Sequence, residues 1–210
     1  MEKPAPAEYP IQDAIKQRWS PRSFSSRMVE PEKLRSLLEA ARWAPSSYNE
    51  QPWYFLVATK DDEAEYQKML ECLVEFNQQW AYLAPVLMIS GARGKFEKNG
   101  QPNRHAFHDV GLAVANMIFE ATALGLFVHQ MAGFSPERVK ELYNVPEDFE
   151  PVAAIAIGYA GEVDDLPEDF REKEIAPRER KPLESFVFQG AWGQPSRLVS
   201  QREKALLNNQ

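Results

Sequence analysis

Arg18-Trp19-Ser20-Pro21-Arg22-Ser23-Phe24 and Ala44-Pro45-Ser46-Ser47-Tyr48-Asn49-Glu50-Gln51-Pro52-Trp53 are the two stretches on which the reading of this chain turns. In the first, arginines alternate with a hydroxyl at two-residue spacing. In an extended chain Arg18, Ser20 and Arg22 point the same way, a geometry suited to a phosphate or to the edge of an anionic ring. An Arg-rich helix end that caps carbonyls in solvent has the same composition. The second stretch is a mostly uncharged polar knot between a helix and a strand. Its serines, Asn49 and Gln51 offer donors and acceptors to a planar heteroaromatic ligand, and equally to the backbone of an Asx or Ser turn.

The knot is framed by regular elements. Pro31 to Ala44 opens with a proline suited to a first helical position and carries Leu34, Leu37, Leu38 and Ala41 on one face, which predicts an amphipathic helix stopped by Pro45. Trp53 to Thr59 and Pro85 to Ser90 read as buried strands. Between them, Glu63 to Tyr82 has Tyr66, Met69, Leu70, Leu73, Val74 and Trp80 at roughly helical spacing. This predicts a helix that includes Cys72. His105 to Leu124 predicts a long apolar helix ending at Gly125, followed by a strand from Leu126 to Gln130. Ser135-Pro136-Glu137 starts a further helix, with Ser as N-cap, and Val152 to Tyr159 reads as a buried strand. Helices alternating with short apolar strands suggest a three-layer sandwich with helices on both faces of a sheet.

Two segments stand apart from this pattern. Ala92 to Arg104 is polar and turn-rich, a candidate mobile loop over a site or an ordinary solvated connection. Glu162 to Lys181 is charged and proline-bearing without apolar periodicity, and reads as an extended arm. With Phe186, Val187, Phe188 and Trp192 beyond it, the arm has a physical motive to wrap a second subunit. The expected organisation is a single domain over residues 1–193, an arm over 162–193 and a polar tail over 194–210.

Several function classes are excluded by composition. The chain has 210 residues, with 24 Lys and Arg against 31 Asp and Glu, and its net charge of −7 argues against a general nucleic-acid or anionic-membrane binder. Any phosphate-bearing partner must meet a local arginine cluster. The lone Cys72 rules out an internal disulfide and a multi-cysteine metal site, and suggests a reducing compartment. No apolar stretch approaches the ~20 residues of a membrane-spanning helix. Met1 to Pro10 lacks the apolar core of a secretory signal, so a cytoplasmic location is expected. His105, His108 and His129 have neither zincin nor hydrolase spacing, no metal site is expected, and neither a Gly-x-Gly-x-x-Gly turn nor a P-loop is present. A nucleotide cofactor therefore needs another cradle.

Taken together and in this order, the two opening stretches resemble the FMN-dependent nitroreductase family. That family's N-terminal signature is Arg-x-Ser-x-Arg/Lys-x-Phe followed by a Pro-Ser-Ser-x-Asn-x-Gln-Pro-Trp knot. The resemblance continues through Asp109-Val110-Gly111-Leu112-Ala113, Ala123-Leu124-Gly125-Leu126, Gly133-Phe134 and Ile157-Gly158-Tyr159, and ends at Arg178-Glu179-Arg180-Lys181-Pro182. It implies an α+β fold, a three-layer α/β/α sandwich whose central sheet is mostly antiparallel, and a homodimer with two FMN sites in the subunit interface.

The resemblance also implies roles. Arg18, with Arg178 and Arg180, looks like a clamp for the FMN phosphate, which carries about two negative charges. Trp19 lies in the same run, Ser20 would add a hydroxyl contact, and Arg22 would sit near the flavin N1 and O2 edge and tune the redox potential. Pro45, Ser46, Ser47 and Asn49 match the knot that approaches the flavin from the neighbouring subunit. Gln130, Ala132 and Gly133 match the segment whose backbone N–H groups address N5 and O4, and Asn77 loosely matches an asparagine near the ring. Some relatives carry Glu where Ala132 stands, which bears on substrate orientation. The implied reaction is ping-pong: NADH or NADPH gives hydride to flavin N5, and a nitroaromatic, quinone or similar small-molecule acceptor then takes the electrons, with no catalytic side-chain acid or base. A specialised flavin enzyme of the same fold, such as a dehalogenase or a flavin-consuming synthase, and a flavin-binding regulatory or storage protein without turnover are the alternatives.

Overall fold

Strands β1 (Trp53–Thr59), β2 (Val86–Arg93), β3 (Phe127–Met131) and β4 (Phe149–Gly158) form one sheet in the order β1-β2-β4-β3, and every neighbouring pair is antiparallel. The structure is a computed structural model that describes residues 2–199, and the chain divides into two units, Met1–Ala176 and Pro177–Gln210. The sheet belongs to the first unit.

The strands are apolar on both sides because both sides are covered. Along β2, Leu87 and Ile89 enter one core, while Val86, Met88 and Ala92 enter the other; along β4, Ala154 and Ala156 oppose Ile155 and Ile157 in the same way. The first core is closed by Tyr66 and Met69 of α3 (Glu63–Leu70), Trp80 and Ala81 of α4 (Glu75–Ala81), Val139 of α6 (Pro136–Tyr143) and Phe170 of α7 (Glu168–Ile175). The second is closed by Leu37 and Ala41 of α2 (Pro31–Arg42) and by Val110, Ala113, Val114, Met117 and Ala121 of α5 (Ala106–Ala123). The short α1 (Asp13–Gln17) precedes the arginine segment and buries none of its residues. This is the α+β three-layer sandwich expected. Truncating a fully buried residue such as Leu37 or Met117 to Ala should cost about 2–5 kcal/mol.

Helix boundaries follow local chemistry. Pro31 stands at the first position of α2. The Asp62 carboxylate accepts from Glu65 N–H at 3.2 Å to start α3, and Ser135 Oγ accepts from Arg138 N–H at 3.1 Å to start α6, which Asn144 ends in the left-handed region.

Two expectations are corrected. The single helix read over Glu63 to Tyr82 is two helices, α3 and α4, and Cys72 lies in the turn between them. Leu73 there forms a bridge with Phe134, Val74 N–H donates to Gly133 O at 3.1 Å and Ser135 N–H donates to Cys72 O at 2.8 Å. These pairings to a distant segment outbid the helical ones, which periodicity alone cannot reveal. The segment from Glu162, read as extended, holds a 3₁₀ turn (Val163–Asp165) and then α7, because Leu166, Phe170 and Glu174 are buried. Of the segment read as a loop over 92–104, Ala92 and Arg93 complete β2, Lys95 bridges Pro102, and Phe96 N–H donates to Gln101 O at 2.8 Å.

The second unit has short 3₁₀ turns at Leu183–Ser185 and Arg197–Val199, a bridge between Phe188 and Pro195, and Phe188 edge-on to Trp192 with ring centroids 5.2 Å apart. Residues 200–210 of the tail read at 194–210, and Met1, lie outside the described residues. No helix among the described residues is long and apolar enough to cross a membrane.

Candidate functional site

The arginine segment is pinned along β3 and the end of β4. Phe24 forms a bridge with Ala160, and Gly161 N–H donates to Ser23 O at 3.0 Å. A Cβ on Gly161 would fall 2.7 Å from the Phe24 carbonyl carbon, so only glycine permits this approach. His129 of β3 hydrogen-bonds Pro21 O through Nδ1 at 2.8 Å, which fixes Nδ1 as the protonated nitrogen. Burial holds the His129 pKa at about 4, with the Arg22 charge adding to the depression and the Pro21 hydrogen bond opposing it, so the ring is neutral at neutral pH.

Within this frame Arg22 is half-buried. Its backbone N–H donates to both carboxylate oxygens of Glu174 at 3.0 Å, and its guanidinium lies 5.9 Å from the Trp80 ring centroid, which in turn lies 4.5 Å from the His129 ring. Arg22 Nε is buried without a hydrogen-bond partner, and Arg22 makes no ion pair among the described residues. Trp80 Nε1 beside it is also buried and unpartnered. An unsatisfied cation next to an aromatic wall is costly in isolation and favourable to an anion or a polar ring that completes it. Ser20 is exposed and accepts from Arg18 Nη1 at 3.2 Å. Trp19 has its ring buried edge-on against Phe127, with centroids 5.9 Å apart.

Gln130 in β3 and Ala132 just beyond it are exposed, and Gly133 is half-buried. Asn77 of α4 is buried and donates through Nδ2 to Gly133 O at 2.9 Å, so two residues read separately from sequence are brought together. A Cβ on Gly133 would lie 2.5 Å from that Nδ2 and 2.9 Å from Val74 Cγ2. The small residue keeps α4 and the 130–133 segment in contact.

The serine knot is held elsewhere in the unit. Ser47 N–H donates to the buried Asp109 carboxylate of α5 at 3.0 Å, and Gln51 N–H donates to Ser46 Oγ at 3.0 Å. Ser47–Asn49 is a 3₁₀ turn in which Tyr48 and Asn49, and then Gln51, have φ of 55°, 57° and 52°. Pro45 is exposed, and Tyr48 is 93% exposed apart from an edge contact with Phe96 of the 92–104 loop. Among the described residues the knot makes no hydrogen bond to residues 18–24 or 130–133. Arg178 and Arg180 belong to the second unit; Arg178 is half-buried, and burial and then the Arg180 charge lower its pKa.

Sequence reasoning missed Glu174, Trp80 and His129 around Arg22, and Asp109 beneath the knot. Asp109 had a signal, since it opens the Asp-Val-Gly run that carried part of the resemblance. The others had none, because each is defined by a partner distant in the chain.

The fold is an antiparallel sheet between helical layers, with an arginine that makes no ion pair among the described residues next to the Pro21 contact with the edge strand β3. The chain belongs to the nitroreductase family, whose family model matches residues 15–159. Among solved structures, it is similar to one described as an oxidoreductase containing FMN, at 35% identity and a TM-score of 0.83, over 89% of this chain and 94% of that one. It is also similar to a nitroreductase family protein from Clostridium difficile 630, at 25% identity and a TM-score of 0.66, over 85% and 96% of the two chains. A Thermus thermophilus protein named NADH dehydrogenase is 28% identical over 217 aligned positions, covering 87% of this chain and 98% of that protein.

Proposed function

We propose that the chain is an FMN-dependent oxidoreductase that takes hydride from NADH or NADPH and passes electrons to a nitroaromatic, quinone or similar acceptor. Family membership and the likeness to an FMN-containing oxidoreductase support the class. The single observation that carries the site is the half-buried Arg22, whose Nε has no hydrogen-bond partner and whose guanidinium makes no ion pair among the described residues. Such a cation fits the anionic or acceptor-rich edge of a planar ligand.

When bound, the flavin supplies the hydride and electron chemistry. The chain's own residues bind and orient. Arg22 offers a cation to the ring, and Gln130, Ala132 and Gly133 offer the end of β3, with Asn77 keeping the Gly133 carbonyl engaged. Arg18 and Ser20 are proposed for the phosphate, as are Arg178 and Arg180 on the resemblance alone. Pro45, Ser46, Ser47 and Asn49 are proposed to serve the site of a second subunit, which makes the working form a homodimer. The proposed cytoplasmic location rests on the lone cysteine.

The test is spectroscopic. Purified protein should be yellow or take up added FMN, and stopped-flow mixing with NADH or NADPH should bleach the flavin band within seconds. A colourless protein that refuses FMN overturns the proposal. Arg22→Ala should lower the flavin midpoint potential more than it weakens FMN affinity, because a cation that favours added negative charge acts on the more anionic state. Arg178→Ala should do the reverse.

A further inference from the structure

We propose that Glu174 is a positioning residue for Arg22, holding the backbone of that residue so that its guanidinium stays available to an anionic ligand. This rests on the reading of Arg22 given above. Glu174 lies in the last turn of α7, 2% exposed. Both its oxygens lie 3.0 Å from Arg22 N, and Oε1 lies 3.2 Å from Ser23 N. A carboxylate is disfavoured there twice, by burial and by the negative end of the helix dipole. Yet it forms no ion pair among the described residues. Lys3 Nζ reaches the Glu174 backbone oxygen at 2.6 Å, and the nearby Arg22 is engaged through its main chain alone.

The arrangement separates two charges that would ordinarily quench each other. Backbone N–H groups satisfy the carboxylate, so its desolvation is offset without drawing on the guanidinium. The Arg22 main chain is thereby fixed while Nε and the Trp80 indole remain unpartnered. If Glu174 were only background charge, removing it would make the surroundings of Arg22 more positive. If it positions Arg22, removing it takes away part of what Arg22 does. The two accounts predict opposite signs.

The experiment compares the FMN-loaded wild type with Glu174→Gln, Arg22→Ala and the double variant, reading the flavin midpoint potential and the FMN dissociation constant. Amide hydrogen exchange at Arg22 and Ser23 is followed in the FMN-free protein. The expected result is that Glu174→Gln lowers the midpoint potential in the same direction as Arg22→Ala, adds nothing to it in the double variant, and speeds exchange of the two amides about tenfold or more, as loss of a charge-assisted hydrogen bond requires. A raised or unchanged potential in Glu174→Gln, with Arg22→Ala still lowered, overturns the positioning role and leaves the reading of Arg22 standing. An unchanged potential in Arg22→Ala overturns both. Exchange at Arg22 and Ser23 that matches wild type in Glu174→Gln also overturns the positioning role, whatever the potential.

Discussion

The Asp109 carboxylate, 2% exposed, accepts the Ser47 backbone N–H at 3.0 Å from a helix 62 residues further along the chain. It stands in the first turn of α5, where the helix dipole favours an anion, and its other oxygen lies 3.3 Å from His108 Nδ1. Asp109→Ala should cost about 1–3 kcal/mol in urea unfolding, because Ser47 N–H loses its acceptor, and should free the knot. Asp109→Asn should cost less, since the amide oxygen can still accept. Equal losses for both would show that charge, not the hydrogen bond, is what matters.

Gly133→Ala places a methyl group against Asn77 and Val74 at distances no Cβ tolerates. The expected loss is about 1–3 kcal/mol from overpacking, together with displacement of the Asn77 amide from the Gly133 carbonyl. Thermal unfolding of Gly133→Ala and of the double variant Gly133→Ala/Asn77→Ala measures this. Removing the Asn77 side chain should recover part of the loss.

His129 sets a pH dependence. Its pKa of about 4 in the folded protein lies below its ordinary 6.5, so on acidification the unfolded chain takes up the proton first. Stability should therefore fall as pH drops from about 6.5 to about 4, and this contribution should level off below that. His129→Asn can still donate to Pro21 O and should flatten that part of the curve. Urea midpoints across the range give the comparison.

Cys72 should be inert in the folded protein. It is fully buried, burial raises its pKa to about 11, and its thiol faces Lys68 O at 3.4 Å. Iodoacetamide near pH 8 should leave the native protein unmodified and label it fully in urea, as mass spectrometry would show.

Much of the fold was legible because burial on both sheet faces leaves continuous apolar runs. Trp53 to Thr59 forms the strand it reads as, and the helices beginning near Pro31, Ala106 and Pro136 start within a residue of their caps or prolines. The antiparallel order was not legible from the alternation of helices and strands, which suits parallel crossovers equally; it came only through the resemblance. Glu63 to Tyr82 reads as one helix because Leu73 and Val74 keep helical spacing while pairing with Phe134 and Gly133. For the site, Arg22 and the serine knot carried their own chemistry in sequence. Glu174 did not, since a glutamate in a charged, apolar-poor segment reads as solvated until Arg22 and Ser23 are seen above it.

The left-handed backbone at Tyr48, Asn49 and Gln51 has a consequence for recognition. Each such residue without the freedom of glycine costs on the order of 1 kcal/mol, and that cost is met during folding through the Ser46 and Asp109 hydrogen bonds. Little conformational entropy then remains to be lost when the knot meets a ligand or a second chain. If the knot serves a second subunit as proposed, it meets that partner already in its competent shape, and loosening it should lower affinity by reducing the population of that shape without removing any contact.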